Sequence, residues 1–179
     1  MQLTNFTERM ILVKAPLGSG KSHQARRFNY QRTIWLTTSR ALANETARVT
    51  NFTNYQTIPK STPLSSIDRI VLIAPSLYRL YVDFKPYDCL IIDEAESFYS
   101  DMFSGLCKGS DFEIMMKVFA LLMTTSHKII VMDGFLANSA LSVCASFTSD
   151  LKDIRLVIST YIIFRSTLQE LPSPICWTK

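Results

Sequence analysis

Short apolar runs rich in β-branched residues recur along this chain and alternate with stretches in which apolar residues return at helical spacing. Met10–Val13, Thr33–Thr37, Ile70–Ala74, Cys89–Ile92, Lys128–Met132 and Arg155–Ser159 are each too short for a stable helix and predict buried strands. Asn51–Ile58 predicts a further short strand, and Pro59–Ser66 reads as a loop. Between the strands, Ser22–Tyr30 predicts a short helix with Ala25 and Phe28 inward and Arg26 and Arg27 outward. Ser39 is placed to cap a helix carrying Leu42, Thr46 and Val49 on one face, and Ser76 to cap another with Leu77, Leu80 and Tyr81 inward and Arg79 outward. Ser110 and Glu113 have the spacing of a capping box ahead of the stripe Phe112, Met115, Met116, Phe119, Leu122 and Met123. A further helix is expected over Ser139–Phe147. Such alternation predicts one α/β domain with a mostly parallel central sheet and helices on both faces.

Two strand ends carry the chemistry. The first apolar run leads into Ala15-Pro-Leu-Gly18-Ser19-Gly20-Lys21-Ser22, the arrangement of a phosphate-binding loop between a strand and a helix. Glycines at 18 and 20 let successive backbone N–H groups turn toward phosphate oxygens, and the helix that follows adds the positive end of its dipole. Lys21 supplies an ammonium for the outer phosphates of ATP, and the Ser22 hydroxyl is placed to ligate Mg²⁺. Ala15 stands where this pattern usually has glycine. Cys89–Ile92 ends on Asp93-Glu94-Ala95-Glu96, two adjacent carboxylates at a strand end, as metal-assisted nucleotide hydrolysis requires. Asp93 is the candidate Mg²⁺ ligand through the metal's water shell, and Glu94 the candidate base that orients the attacking water. Thr38-Ser39-Arg40 brings hydroxyls and a guanidinium to another strand end, a set suited to a phosphodiester backbone and equally to a helix cap beside a surface arginine. His23 reads as a surface residue.

At 179 residues and 47% hydrophobic content the chain can bury one sizeable core, and two domains of this fold would not fit. No apolar run reaches the length of a membrane span and no signal-peptide pattern follows Met1, so the expectation is a soluble, intracellular protein without membrane contact. Cys89, Cys107, Cys144 and Cys176 form no C-x-x-C pair and read as reduced packing residues. The net charge of +4 is unevenly spread: residues 1–90 hold twelve Lys and Arg against five Asp and Glu, and the remainder seven against ten. The positive half carries the phosphate loop and Arg40, which is compatible with a nucleic-acid partner or with a solvated surface.

In both nucleotide motifs and in Thr-Thr-Ser-Arg-Ala-Leu, Ser-Leu-Tyr-Arg-Leu and Val-Met-Asp-Gly-Phe-Leu, the chain resembles superfamily 2 helicases. More narrowly, it resembles the replication origin-binding proteins of herpesviruses and other large DNA viruses, over roughly Met10 to Ile162. The resemblance implies the first RecA-like motor domain of a two-domain DNA helicase, a P-loop NTPase using ATP and Mg²⁺ in DNA replication. It makes Ser39, Arg40, Ser76 and Arg79 DNA contacts, and it makes Asp133 the residue that couples hydrolysis to strand movement. The organisation it implies is a polar, unanchored leader over 1–9, the ATP-binding domain over 10–165, and a tail or linker over 166–179. The expected partners are single-stranded or origin DNA, replication proteins, and a second motor domain or a second copy of the chain, in the nucleus, the cytoplasm or a viral replication site. The second motor domain would supply an arginine finger, a contribution of about a thousandfold to turnover, so the expectation is ATP binding with weak hydrolysis by this chain alone. Two rivals fit the same motifs: a small P-loop kinase, and a truncated or non-catalytic module that binds DNA or a partner under nucleotide control.

Overall fold

The computed structural model describes residues 2–104 and 110–159. Seven strands, β1 (Met10–Lys14), β2 (Thr33–Thr37), β3 (Thr53–Asn54), β4 (Arg69–Ile73), β5 (Cys89–Asp93), β6 (Lys128–Asp133) and β7 (Ile154–Ile158), form one sheet. Their order is β3-β4-β2-β5-β6-β1-β7, and every pairing is parallel. The helices are α1 (Lys21–Ala25), α2 (Arg40–Thr50), α3 (Ala95–Phe103), α4 (Ser110–Thr125) and α5 (Asn138–Ala145). All five residues of β2 and all six of β6 are buried, as strands covered on both faces must be.

The strand order explains where the helices go. From β1 to β2 and from β2 to β3 the chain moves toward the β3 edge, whereas from β4 to β5, β5 to β6 and β6 to β7 it moves the other way. Right-handed crossovers therefore put α1 and α2 on one face and α3, α4 and α5 on the other. On that second face Phe98 of α3 packs against Phe119 of α4 at 6.1 Å between ring centroids, and Phe119 meets Phe147 edge-on at 6.1 Å. On the first face Trp35 of β2 meets Phe52 edge-on at 6.0 Å.

Six of the strands expected from the sequence are present with ends displaced by at most one residue, whereas of the expected Asn51–Ile58 only Thr53–Asn54 is strand and Tyr55–Thr57 tightens into a 3₁₀ turn. The differences from expectation have local causes. Helix α1 stops at Ala25 because the chain tightens into turns that carry Phe28 into the core, where it stacks on Tyr30 at 6.3 Å. Arg26 is half-buried rather than outward, and its guanidinium donates to the Val49 carbonyl at 3.1 Å. Ser76 caps no helix: Ala74–Leu80 is a 3₁₀ segment that starts with Pro in its first turn and has no side-chain cap.

Nor is the leader unanchored. Leu3 is fully buried, and the Lys128 ammonium donates to the carbonyls of Phe6 at 2.7 Å and Glu8 at 2.5 Å. Glu8 pairs with Arg155 of β7. Arg9 donates to the carbonyls of Met123, of Ser126 at 3.1 Å and of Phe147 at 3.3 Å, so one guanidinium holds the ends of both α4 and α5.

Cys89 and Cys144 are buried free thiols, each pushed up to about 12 by burial. The side chain of Ser110, Cys107, Cys176 and the 166–179 tail lie outside the described residues. Among the described residues no helix is long and apolar enough to cross a membrane.

Candidate functional site

In an all-parallel sheet the C-terminal strand ends share one edge, and the predicted residues gather there. The loop after β1 turns through Gly18 at φ 76° and Gly20 at φ 83° before entering α1. A Cβ at either glycine would meet nothing within 4 Å, so backbone conformation rather than crowding calls for glycine at both. Lys21 folds back over the loop, its ammonium donating to the carbonyls of Ala15 at 2.7 Å and Pro16 at 3.2 Å. The Ala15 amide is itself tied to the Asp133 carbonyl at 3.0 Å, which fixes the start of the loop to the end of β6.

Ser22 and Asp93 lie 71 positions apart in sequence and meet directly: the Ser22 hydroxyl donates to Asp93 Oδ2 at 2.9 Å. Burial raises the pKa of Asp93 above the ordinary carboxylate value, against the opposing pull of the Ser22 hydrogen bond and the Lys21 charge. One hydroxyl and one carboxylate oxygen, converging beside a phosphate loop, suit Mg²⁺, which keeps several waters and takes its remaining ligands from substrate phosphates. Among the described residues no cluster of three or more His, Cys, Asp or Glu side chains forms a closed metal cage.

Glu94 follows at the N-cap of α3 with φ 55° and ψ 53°, the left-handed region that a residue with a Cβ enters only at a cost. Its carbonyl accepts the Phe98 N–H at 2.9 Å, and its carboxylate accepts the Thr38 hydroxyl at 3.2 Å. Two cavities open on either side of the phosphate loop. One of about 390 Å³ runs toward α2 and is lined by the loop, Arg26, Trp35, Asp93 and Glu94. The other, of about 370 Å³, is lined by Pro16, Leu17, Ser97, Asp133, Gly134 and Phe135. Leu17, Lys21 and Glu94 belong to both linings, so this set stands between the two cavities.

Asp133 sits at the end of β6 and is nearly buried at 8% exposure. Its Oδ2 accepts the Glu96 N–H at 2.9 Å and its Oδ1 the Phe135 N–H at 2.8 Å. Glu96 in turn accepts the Ala137 N–H at 2.8 Å and the Ser139 hydroxyl. The start of α3 and the β6–α5 connection are therefore laced together in both directions.

Three of the four candidate DNA residues come together elsewhere on the same edge. Arg40, Ser76 and Arg79 line a groove of about 440 Å³ with Gln56, Lys60 and Tyr78. Its lining contains three cations and no carboxylate. Ser39 is not in that lining: its hydroxyl oxygen accepts the Leu42 N–H at 3.2 Å as the cap of α2. Arg79, expected to point outward, braces the groove wall by donating to the carbonyls of Tyr55 at 3.3 Å, Ile58 at 3.2 Å and Pro59 at 3.1 Å. The Thr38 hydroxyl, offered by the sequence for a phosphodiester, meets the Glu94 carboxylate instead; Lys60 was not foreseen, and Glu96 was given no role. Nothing in the pattern ties Lys60 to Arg40, 20 positions away.

Comparison with known proteins places this geometry. A DEAD box protein from the hyperthermophile Methanococcus jannaschii superposes with a TM-score of 0.59 at 16% identity, over 84% of this chain and 45% of that one. An S. cerevisiae Dbp5 variant bound to RNA and ADP BeF3 gives 0.57 at 15% identity, over 83% and 41%. The fold is thus the RecA-like domain of those helicases. A putative helicase/primase complex protein of African swine fever virus is 30% identical over 152 residues, 78% of this chain and 14% of its own length. A putative replication origin-binding protein of Acanthamoeba polyphaga mimivirus is 26% identical over 150 residues, 74% of this chain and 19% of its own. The chain therefore spans less than a fifth of these relatives. The family model described as origin of replication binding protein matches residues 1–167, and the chain belongs to that family.

Proposed function

We propose that this chain is the ATP-binding motor domain of a DNA helicase of origin-binding type, acting in DNA replication. The observation that carries the reading is the direct meeting of Ser22 and Asp93 at 2.9 Å, with Lys21 and Glu94 lining both cavities beside the loop. A phosphate loop, a buried carboxylate and a second carboxylate next in sequence supply the parts that phosphoanhydride hydrolysis needs. In this reading the loop amides from Gly18 to Ser22 cradle the phosphates, and Lys21 exchanges the Ala15 and Pro16 carbonyls for the outer phosphate oxygens. Ser22 and Asp93 would hold Mg²⁺, which when bound neutralises charge on the phosphates. Glu94 accepts a hydrogen bond from the attacking water and draws off its proton as the phosphorus–oxygen bond to the leaving group breaks.

Asp133, joined to α3 through Glu96, relays a change at the phosphates to the β6–α5 connection. Arg40, Ser76 and Arg79 place their groove on the phosphate backbone of DNA, with Ser39 holding α2 in position. Replication proteins, and a second motor domain or a second copy supplying an arginine finger, are the partners this reading implies.

The test is ATP turnover by the purified chain, wild type beside Glu94→Gln and Lys21→Ala, with and without single-stranded DNA. The expected result is nucleotide binding lost in Lys21→Ala, and DNA-stimulated turnover lost in Glu94→Gln with binding retained. Unchanged nucleotide affinity in Lys21→Ala would overturn the assignment.

A further inference from the structure

The groove at the ends of β2 and β4 contains more than a phosphate clamp requires. Arg40, Lys60 and Arg79 line it without any carboxylate, so its field favours a polyanion. Cations alone, however, grip duplex and single strand alike, because both present the same phosphates. What sets this groove apart is Tyr78, which lines it and keeps 38% of its surface exposed. A large aromatic side chain left open to solvent beside three cations forms the pairing that single-strand grooves use, in which cations track the backbone and the ring receives a base face. Tyr55, in the same lining, is 6% exposed and serves as wall rather than platform.

The groove is also held in shape. Tyr55, Gln56 and Ile58 line it, and the guanidinium of Arg79 pins the Tyr55, Ile58 and Pro59 carbonyls. Tyr78 precedes Arg79 in a 3₁₀ segment whose Leu77 and Leu80 are fully buried, so the ring is presented from an anchored backbone. Exposed Gln56 lies in the same lining and offers an amide edge to whatever base rests there.

From this we infer that Tyr78 is a base-stacking platform that makes the groove selective for single-stranded DNA over duplex. In a duplex the base faces are already stacked on one another and cannot reach a ring at the groove's edge, whereas a single strand can turn a base onto it. The inference rests on the reading of this groove as the DNA-binding surface, and it adds which form of DNA is held and by which residue.

The experiment uses the full chain with three fluorescently labelled probes of equal length: an oligothymidylate strand, a strand of abasic sites with the same phosphates, and a duplex. The expected result for wild type is about tenfold tighter binding of oligothymidylate than of either the abasic strand or the duplex, set by one stacked base. Tyr78→Ala should bring oligothymidylate down to the abasic level, while Tyr78→Phe, which keeps the ring and loses the hydroxyl, should retain the preference. Arg40→Ala should weaken both strands by the same factor and flatten the salt dependence. Wild-type binding of oligothymidylate no tighter than of the abasic strand or of the duplex would overturn the stacking role, and so would a preference that survives in Tyr78→Ala. In both cases salt-dependent binding sensitive to Arg40→Ala leaves the groove itself standing. Failure of every probe to bind in a salt-dependent way would instead remove the groove as the DNA surface, and the stacking role with it.

Discussion

Glu94 carries two demands that pull against each other. Its carboxylate must face the cleft, and its backbone must turn from β5 into α3 at φ 55°, where a Cβ crowds the adjacent carbonyl. A glycine would make that turn without strain but would carry no carboxylate. Glu94→Gly and Glu94→Ala both remove the carboxylate and its hydrogen bond from Thr38, and they differ only in the Cβ. Urea unfolding of the two variants should therefore show Glu94→Gly more stable by about 1 kcal/mol. Equal midpoints would mean that the turn relaxes once the side chain is gone. The place of the carboxylate was legible in the sequence, since an acid pair that ends an apolar run falls at the C-terminal edge of a strand. The backbone strain was not, because any residue type can follow Asp93 in a sequence and only the turn into α3 fixes its dihedral angles.

At the scale of elements, the apolar runs foretold the strands because the sheet is parallel and covered on both faces, which demands continuous hydrophobic stretches with little alternation. Helix ends were less legible, since they depend on partners distant in sequence. Ser39 caps α2 as its spacing predicts, yet Ser76 does not cap, because the chain from Ala74 to Leu80 tightens into 3₁₀ turns that bury Leu77 and Leu80. The polar leader looked free for the same reason: the groups that receive it, Lys128 and the ends of α4 and α5, lie more than a hundred positions away. Asp133 shows how such long connections concentrate on one side chain. Its two oxygens take the amides of Glu96 and Phe135, at 2.9 and 2.8 Å, in a nearly closed environment. Asp133→Ala would leave both amides short of a partner, and chemical denaturation should register a loss of about 3 kcal/mol. A loss below about 1 kcal/mol would mean that water reaches the amides and that the network does not bind α3 to the β6–α5 connection.

Across the whole molecule, the cleft beside Lys21 and Glu94 and the positive groove open on the same sheet edge, one fed by β1, β5 and β6 and the other by β2 and β4. β2 touches both. Its last residues run into Thr38, which donates to the Glu94 carboxylate at 3.2 Å, and two positions later into Arg40, which lines the groove. On the proposed function, a strand seated on Arg40 acts on the backbone that also positions Thr38, so DNA reaches the water-activating carboxylate through a single hydrogen bond. Thr38→Val keeps the β-branched shape and removes only the donor. ATP turnover by this variant should respond little to single-stranded DNA, with the stimulation ratio falling toward one, while DNA affinity stays at the wild-type level because the groove is untouched. Thr38→Ser, which restores a hydroxyl, should recover the stimulation. Full stimulation in Thr38→Val would break this route between the groove and the cleft.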